Sequence, residues 1–216
     1  MRKLLFILFV LCIHIKSVSQ KEANNWYFGN RAAITFKNGS PAVISDSRMV
    51  TPEGCATVSD KNGRLLFYTN GVTVFNSINE VMENGDNLAG HISSTQSSLI
   101  VPIPENDSLY YIFTVDFHGG AKGLNYSVVN IVLNNGLGKV VRKNIKLFSP
   151  ITEKISAVHH CNNKDIWVTV RAWNSDLYWS YLIDKNGLSI DPVPSATGNI
   201  ITGREFNTLG AMKIAP

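Results

Sequence analysis

The chain has 216 residues, 17% of them charged, and a formal charge of +4. Residues 1–19 hold Arg2, Lys3 and Lys16 and no acid, so the remainder carries +1, with no Lys/Arg block. That balance provides no electrostatic footprint for nucleic acid or an anionic membrane, and neither partner is expected.

Arg2 and Lys3 precede an apolar run from Leu4 to Ile13, and Ser17-Val-Ser19 has the small residues a signal peptidase reads. This pattern predicts a secretory signal over 1–19, with Gln20 as the mature N-terminus. The run is shorter than the roughly 20 residues of a membrane span, and no later stretch is long enough either. Cys12 reads as part of the signal core, since neither Gly nor Ala precedes it. The expected location is periplasmic, cell-surface or extracellular.

Beyond residue 20, closely spaced strand signals replace any helical period. Trp26-Tyr-Phe28, Ala33-Ile-Thr-Phe36 and Ala42-Val-Ile-Ser45 form a first strand group. A repeat then begins. Its copies open at Cys55-Ala-Thr-Val-Ser-Asp60, Ser97-Ser-Leu-Ile-Val-Pro102, Ser156-Ala-Val-His-His160 and Gly210-Ala-Met-Lys-Ile-Ala215. A polar turn and a more apolar strand follow the first three: Leu65-Leu-Phe-Tyr-Thr69, Tyr110-Tyr-Ile-Phe-Thr-Val115 and Ile166-Trp-Val-Thr-Val170.

Copies 42, 59 and 54 residues apart, each of several short strands, are a signature of propeller blades. The expected fold is therefore all-β. It is a partial β-propeller spanning 20–216, with four-stranded blades near 55–83, 97–148 and 156–196 and another opening at 210. The second blade reads 97–102, 109–115, 124–133 and 140–148; the third reads 156–160, 165–172, 177–184 and 188–196. The N-terminal strand group is expected to complete a closing blade, and further C-terminal blades are expected to pack on 156–216.

Asp60-Lys-Asn-Gly63 and Asp184-Lys-Asn-Gly187 read as identical hairpin turns, with Asn supplying the side-chain hydrogen bond and Gly the positive φ. Neither these turns nor Asn134-Asn-Gly-Leu-Gly138 adds the further carboxylates that calcium needs. Cys55 and Cys161 lack CxxC or Cys/His spacing and read as two small buried residues, their pairing left open. No metal or cofactor is expected. The aromatics Phe67, Tyr68, Tyr110, Tyr111, Phe113, Trp167, Tyr178, Trp179 and Tyr181 read as core between adjacent blades.

Loops after the second strand of each blade, and between blades, should gather on one rim, where a rigid scaffold holds binding residues. These are 70–71, 116–123, 173–176, 84–96, 149–154 and 197–208. They nominate His91, Gln96, Asp116, His118, Glu153, Arg171 and Trp173 as ligand-binding residues. Each also has a structural reading: the histidines as loop hydrogen-bonders, Asp116 as a turn cap, Glu153 with Lys154 as a solvated pair, Arg171 as a blade-edge residue. His159 and His160 lie in a strand and face opposite sides. Catalytic signatures such as GxSxG, HExxH or a phosphate loop do not occur. Asp116, Glu153 and Asp176 are the carboxylates a hydrolase would use.

Asn24-Asn-Trp-Tyr-Phe-Gly-Asn30, Glu53-Gly-Cys-Ala-Thr-Val-Ser-Asp60 and Gly90-His-Ile-Ser-Ser-Thr-Gln96 together resemble the N-terminal region of large secreted Bacteroidota proteins. Tyr111-Ile-Phe-Thr-Val115 and Thr152-Glu-Lys-Ile-Ser-Ala-Val158 extend the likeness over nearly all of 20–216. The resemblance implies a ring of the WD-repeat or amine-dehydrogenase type, PKD-like domains, and a type IX secretion sorting domain linked to gliding or surface display. It carries no catalytic residues. This chain differs in stopping at Pro216. The expected function is an exported, non-catalytic binding or scaffold module that meets protein or glycan at the rim. The alternatives are a carbohydrate-active hydrolase using rim carboxylates, or a non-functional fragment of a larger surface protein.

Overall fold

The computed structural model describes residues 21–215; the expected signal segment 1–19, with Cys12, and Gln20 and Pro216 lie outside the described residues. The described chain is all-β apart from three single-turn 3-10 segments, with four antiparallel sheets, none closed into a barrel. The first sheet is β1 (Asn25–Phe28), β2 (Ala32–Thr35) and β3 (Ala42–Ile44). The second is β4 (Ala56–Ser59), β5 (Leu65–Thr69) and β6 (Val74–Asn76), extended by a bridge from Phe75 to Val81. The third is a four-stranded meander of β7 (Ser98–Pro102), β8 (Leu109–Val115), β9 (Leu124–Asn130) and β10 (Lys139–Phe148). The fourth holds β11 (Ile151–His159), β12 (Ile166–Ala172), β13 (Ser175–Asp184), β14 (Gly187–Leu188) and β15 (Val193–Ile201).

Strand periodicity sends alternate side chains to opposite faces, and both faces of the inner sheets are used. On β8, Phe113 and Val115 join Ile155, Val168, Val170 and Tyr181 in a core between the third and fourth sheets. Ile112, between them, points the other way and joins Phe67, Val74 and Met82 in the core between the second and third. On β5, Phe67 faces the third sheet, while Tyr68 turns to the first and stacks on Tyr27 at 4.3 Å between ring centroids. The sheets thus stack in chain order, with a core in each gap.

Among the described residues the two end faces have no such cover. Trp26, Ile34 and Val43 are cross-strand partners on the outer face of the first sheet, Trp26 51% and Val43 85% exposed. On the outer face of the fourth, Val158, Trp167 and Leu182 share one row and Arg171 and Tyr178 another, all half-buried. The aromatics expected as core therefore divide. Phe67, Tyr68, Tyr111, Phe113 and Tyr181 are buried, whereas Trp167 and Tyr178 lie on the fourth sheet's outer face.

Several boundaries differ from the sequence reading. β11 begins at Ile151, not 156; a bulge sets residues 152–154 against the single residue Arg171, so that Ile151 rather than Glu153 pairs with Ala172 in the core. Glu153 is consequently in a strand and fully buried, not a solvated partner of Lys154. The turn after β12 is confined to Trp173 and Asn174, the latter at φ 58°. The outermost strand of the fourth sheet runs to Ile201 instead of stopping at 196. Residues 210–215 belong to no sheet.

In the 60–63 turn it is Asp60, not Asn62, that supplies the side-chain hydrogen bonds, its Oδ1 accepting from the N–H of Asn62 and Arg64. Asp184 does the same for Asn186. Cys161 is exposed rather than buried, and both cysteines are free. They sit at opposite ends of like-directed strands, Cys55 before β4 and Cys161 after β11.

Five tyrosines hold their protons more tightly than usual. Burial raises the hydroxyls of Tyr68, Tyr110 and Tyr111, and lifts that of Tyr181 to about 12. Tyr27 is raised by burial and then by the adjacent Asp46 carboxylate. Above pH ~10 the unfolded chain sheds these protons while the folded chain keeps them, so stability falls as pH rises through that range. Tyrosinate absorbance should rise cooperatively with unfolding for these groups, and Tyr181→Phe should move the alkaline transition upward. Smooth titration of all tyrosines near pH ~10 with the fold intact would contradict the burial pattern.

Candidate functional site

The loops nominated from sequence converge on one rim, organised around the carboxylate of Glu153. Its Oε2 accepts from the Thr95 backbone N–H at 2.7 Å and the Thr95 hydroxyl at 2.9 Å; its Oε1 accepts from the His118 N–H at 2.8 Å. One side chain on β11 thereby joins the 84–96 connection to the 116–123 loop. A buried carboxylate is tolerated only with such full hydrogen bonding. Asp116, also buried, shapes the same loop: its Oδ1 accepts from the Phe117 N–H and its Oδ2 from the Lys122 N–H.

Gln96 makes a second junction. Its Oε1 accepts from the N–H of both Ile155 and Met212, at 3.0 and 2.8 Å, and its Nε2 donates to the Met212 carbonyl. Lys154 donates from Nζ to the carbonyls of Thr208 and Leu209, and burial pushes its ammonium below the usual lysine range. Asn144 secures the other end of the 84–96 connection, accepting from the Ala89 N–H and donating to the Asn87 carbonyl.

Aromatic rings lie across the top of this frame. His91 stacks on Phe117 at 3.7 Å; His118 follows at 4.7 Å from Phe117, and Phe206 meets His118 edge-on at 4.9 Å. Trp173 packs against Gly119, where an added Cβ would lie 2.8 Å from its ring. Gly119 also has φ +69°, so space and backbone both call for glycine there. His118 Nδ1 lies 3.6 Å from Glu205 Oε1. The result is a half-exposed ledge of His91, Phe117, His118 and Trp173, ending in Phe206, which is 60% exposed.

Five of the seven nominated residues, His91, Gln96, Asp116, His118 and Glu153, thus belong to one connected structure, and Trp173 borders it. Arg171 is turned elsewhere, donating to the Tyr178 hydroxyl and the Asn199 carbonyl on the fourth sheet. Of the three rim carboxylates, Asp116 and Glu153 have both oxygens engaged by loop donors, an arrangement that positions backbone. Phe117, Phe206 and Thr95 were missed. Phe117 had a signal, an aromatic among glycines in a rim loop; Thr95 and Phe206 had none that spacing could reveal.

A second concavity lies between the sheets, a cleft of about 790 Å³. Trp26, Phe28, Thr57, Pro102 and His159 line it, so strands of all four sheets border one opening.

No protein-family model, curated protein or solved structure matches this chain. The reading of the site therefore rests on its geometry.

Replacing Glu153 with Ala leaves two backbone N–H groups without their acceptor at a buried position, an expected loss of about 3 kcal/mol. Glu153→Gln should recover only part of it, since its NH₂ cannot accept. Denaturant unfolding measures the loss, and hydrogen exchange should show it concentrated in 91–96 and 116–123. A loss under about 0.5 kcal/mol, the range of ordinary surface substitutions, would mean that Glu153 is not the organising group.

Proposed function

We propose that the chain is an exported, non-catalytic binding scaffold in which consecutive sheets act as blades of a β-propeller-type arc. The rim ledge is its recognition surface for protein or glycan. Three features support the arc: the sheets stack in chain order, β4, β7 and β11 neighbour one another, and all four sheets border one cleft. Further blade-type sheets cover the outer faces of the first sheet and of the fourth, which runs from Ile151 to Ile201. Export rests on the signal pattern at 1–19. The likeness to secreted Bacteroidota proteins of the gliding and type IX class belongs to the same proposal.

The observation that carries the binding reading is the ledge itself. Large, rigid aromatic side chains offer contact area at low entropic cost, and interfaces are enriched in them. The buried carboxylate beneath holds the loops that present the rings, so a partner meets a surface already organised. The hydrolase alternative would need Asp116 or Glu153 to give up the donors that shape these loops.

Phe206→Ala and Trp173→Ala should each weaken binding of a partner selected from glycan and surface-protein arrays at least tenfold, about 1.4 kcal/mol. Circular dichroism and unfolding midpoints should stay at wild-type values. A partner bound equally well by both variants would place recognition elsewhere on the molecule.

A further inference from the structure

Among the described residues, the first sheet lacks a strand that the other three possess. The second, third and fourth sheets each open with a strand, β4, β7 or β11, that runs away from the rim beside its neighbour in the next sheet. The first sheet opens instead with β1, which runs toward the rim: Asn25 lies by Ser59 and Gly63, and Gly29 by Thr51. At the edge of β1 the Tyr27 N–H and carbonyl have only side-chain partners, Thr57 Oγ1 and Cys55 Sγ. A strand running away from the rim is missing at that position.

The opposite end of the molecule holds such a strand without a sheet. Residues 210–215 run from Thr95 and Gln96, ahead of β7, to Ser156 on β11, and so away from the rim. The N–H groups of Gly210, Met212 and Ile214 donate to Thr95 Oγ1, Gln96 Oε1 and Ser156 Oγ. The alternate amides, Ala211 and Lys213, make no backbone hydrogen bond among the described residues. Gln96 Oε1, just ahead of β7, accepts from Ile155 of β11 on one side and from Met212 of this segment on the other.

We propose that two copies of this chain associate, residues 210–215 of each supplying the innermost strand of the partner's first sheet. The inference rests on the arc reading above. The strand would pair antiparallel to the partner's β1. The same movement brings the outer face with Trp26, Ile34 and Val43 against the one with Val158, Trp167 and Leu182. A twofold axis along the open cleft makes both joints identical and closes the assembly as a ring of eight sheets, within the range of known propellers. One chain cannot do this alone, because β4 and β7 separate its β1 from its own β11 side. Unpaired strand edges beside apolar faces favour such pairing.

Sedimentation equilibrium of the full chain tests the pairing. The wild type should sediment at twice the chain mass. Trp26→Arg with Val43→Lys, on one exposed face, and Leu182→Lys, on the other, should each raise the dimer dissociation constant at least tenfold while leaving circular dichroism unchanged. An equimolar mixture of the two variants retains one intact joint and should regain dimer. A wild-type monomer, an open-ended oligomer, or a dimer indifferent to both variants would overturn the proposal. Small-angle scattering of a monomeric species reports separately whether the four sheets form an open arc.

Discussion

The alternation of side chains across the middle sheets is the constraint on which the rest of this molecule depends. A strand with one apolar face needs one covering layer; β5, β8 and β12 carry apolar side chains on both faces or on alternate sides of a sheet stack. On β8 the switch from Ile112 to Phe113 passes from one core to the next within a single residue. A one-residue slip of register would exchange these sets, so the pairing of β7, β8 and β9 is strongly specified. Each fully buried Phe or Leu contributes roughly 1.5–3 kcal/mol, and a shared sheet joins two such cores into one cooperative body.

The rim follows from that body. Loops of polar residues and glycines cannot hold rings in place through apolar packing alone. Charged and amide groups do it here, anchored in strands whose own position the cores determine. The bulge in β11 is the decisive local event, because it pairs Ile151 rather than Glu153 with Ala172 and leaves the Glu153 carboxylate beneath the loops. A carboxylate so placed rigidifies the loops only while all its donors remain. The same economy explains Asp116 and Gln96, whose side chains replace backbone partners that irregular loops lack.

Strand content and the two Asp-Lys-Asn-Gly turns were legible in the sequence, because period-two alternation and turn chemistry are local properties. The N-terminal strands and the third sheet sit close to where alternation places them. Legibility ended at the bulge. Thr152-Glu-Lys154 is polar, and polar residues before an apolar run read as a loop; only the flanking pairs of Ile151 with Ala172 and Ile155 with Val170 on β12 make them strand. For the same reason Glu153 was nominated for exposure and found buried. The ledge was half visible: His91, His118 and Trp173 stood out by type and loop position, but Phe117 and Phe206 meet them only through the fold. The outward position of Trp167 and Tyr178 was hidden because a strand's two faces look alike when both are apolar.

Native-state hydrogen exchange of the monomeric Leu182→Lys chain, resolved by residue, measures the order of burial across the stack directly. The third sheet, covered on both faces, should contain the slowest amides, those of β8 and β9, exchanging only through global unfolding. The first sheet and β15, each with an uncovered side, should exchange faster through local opening. If β1–β3 or β15 exchanged as slowly as β8 and β9, or the third sheet opened first, the sheets would not be stacked in chain order about a doubly covered centre, and the account would fail.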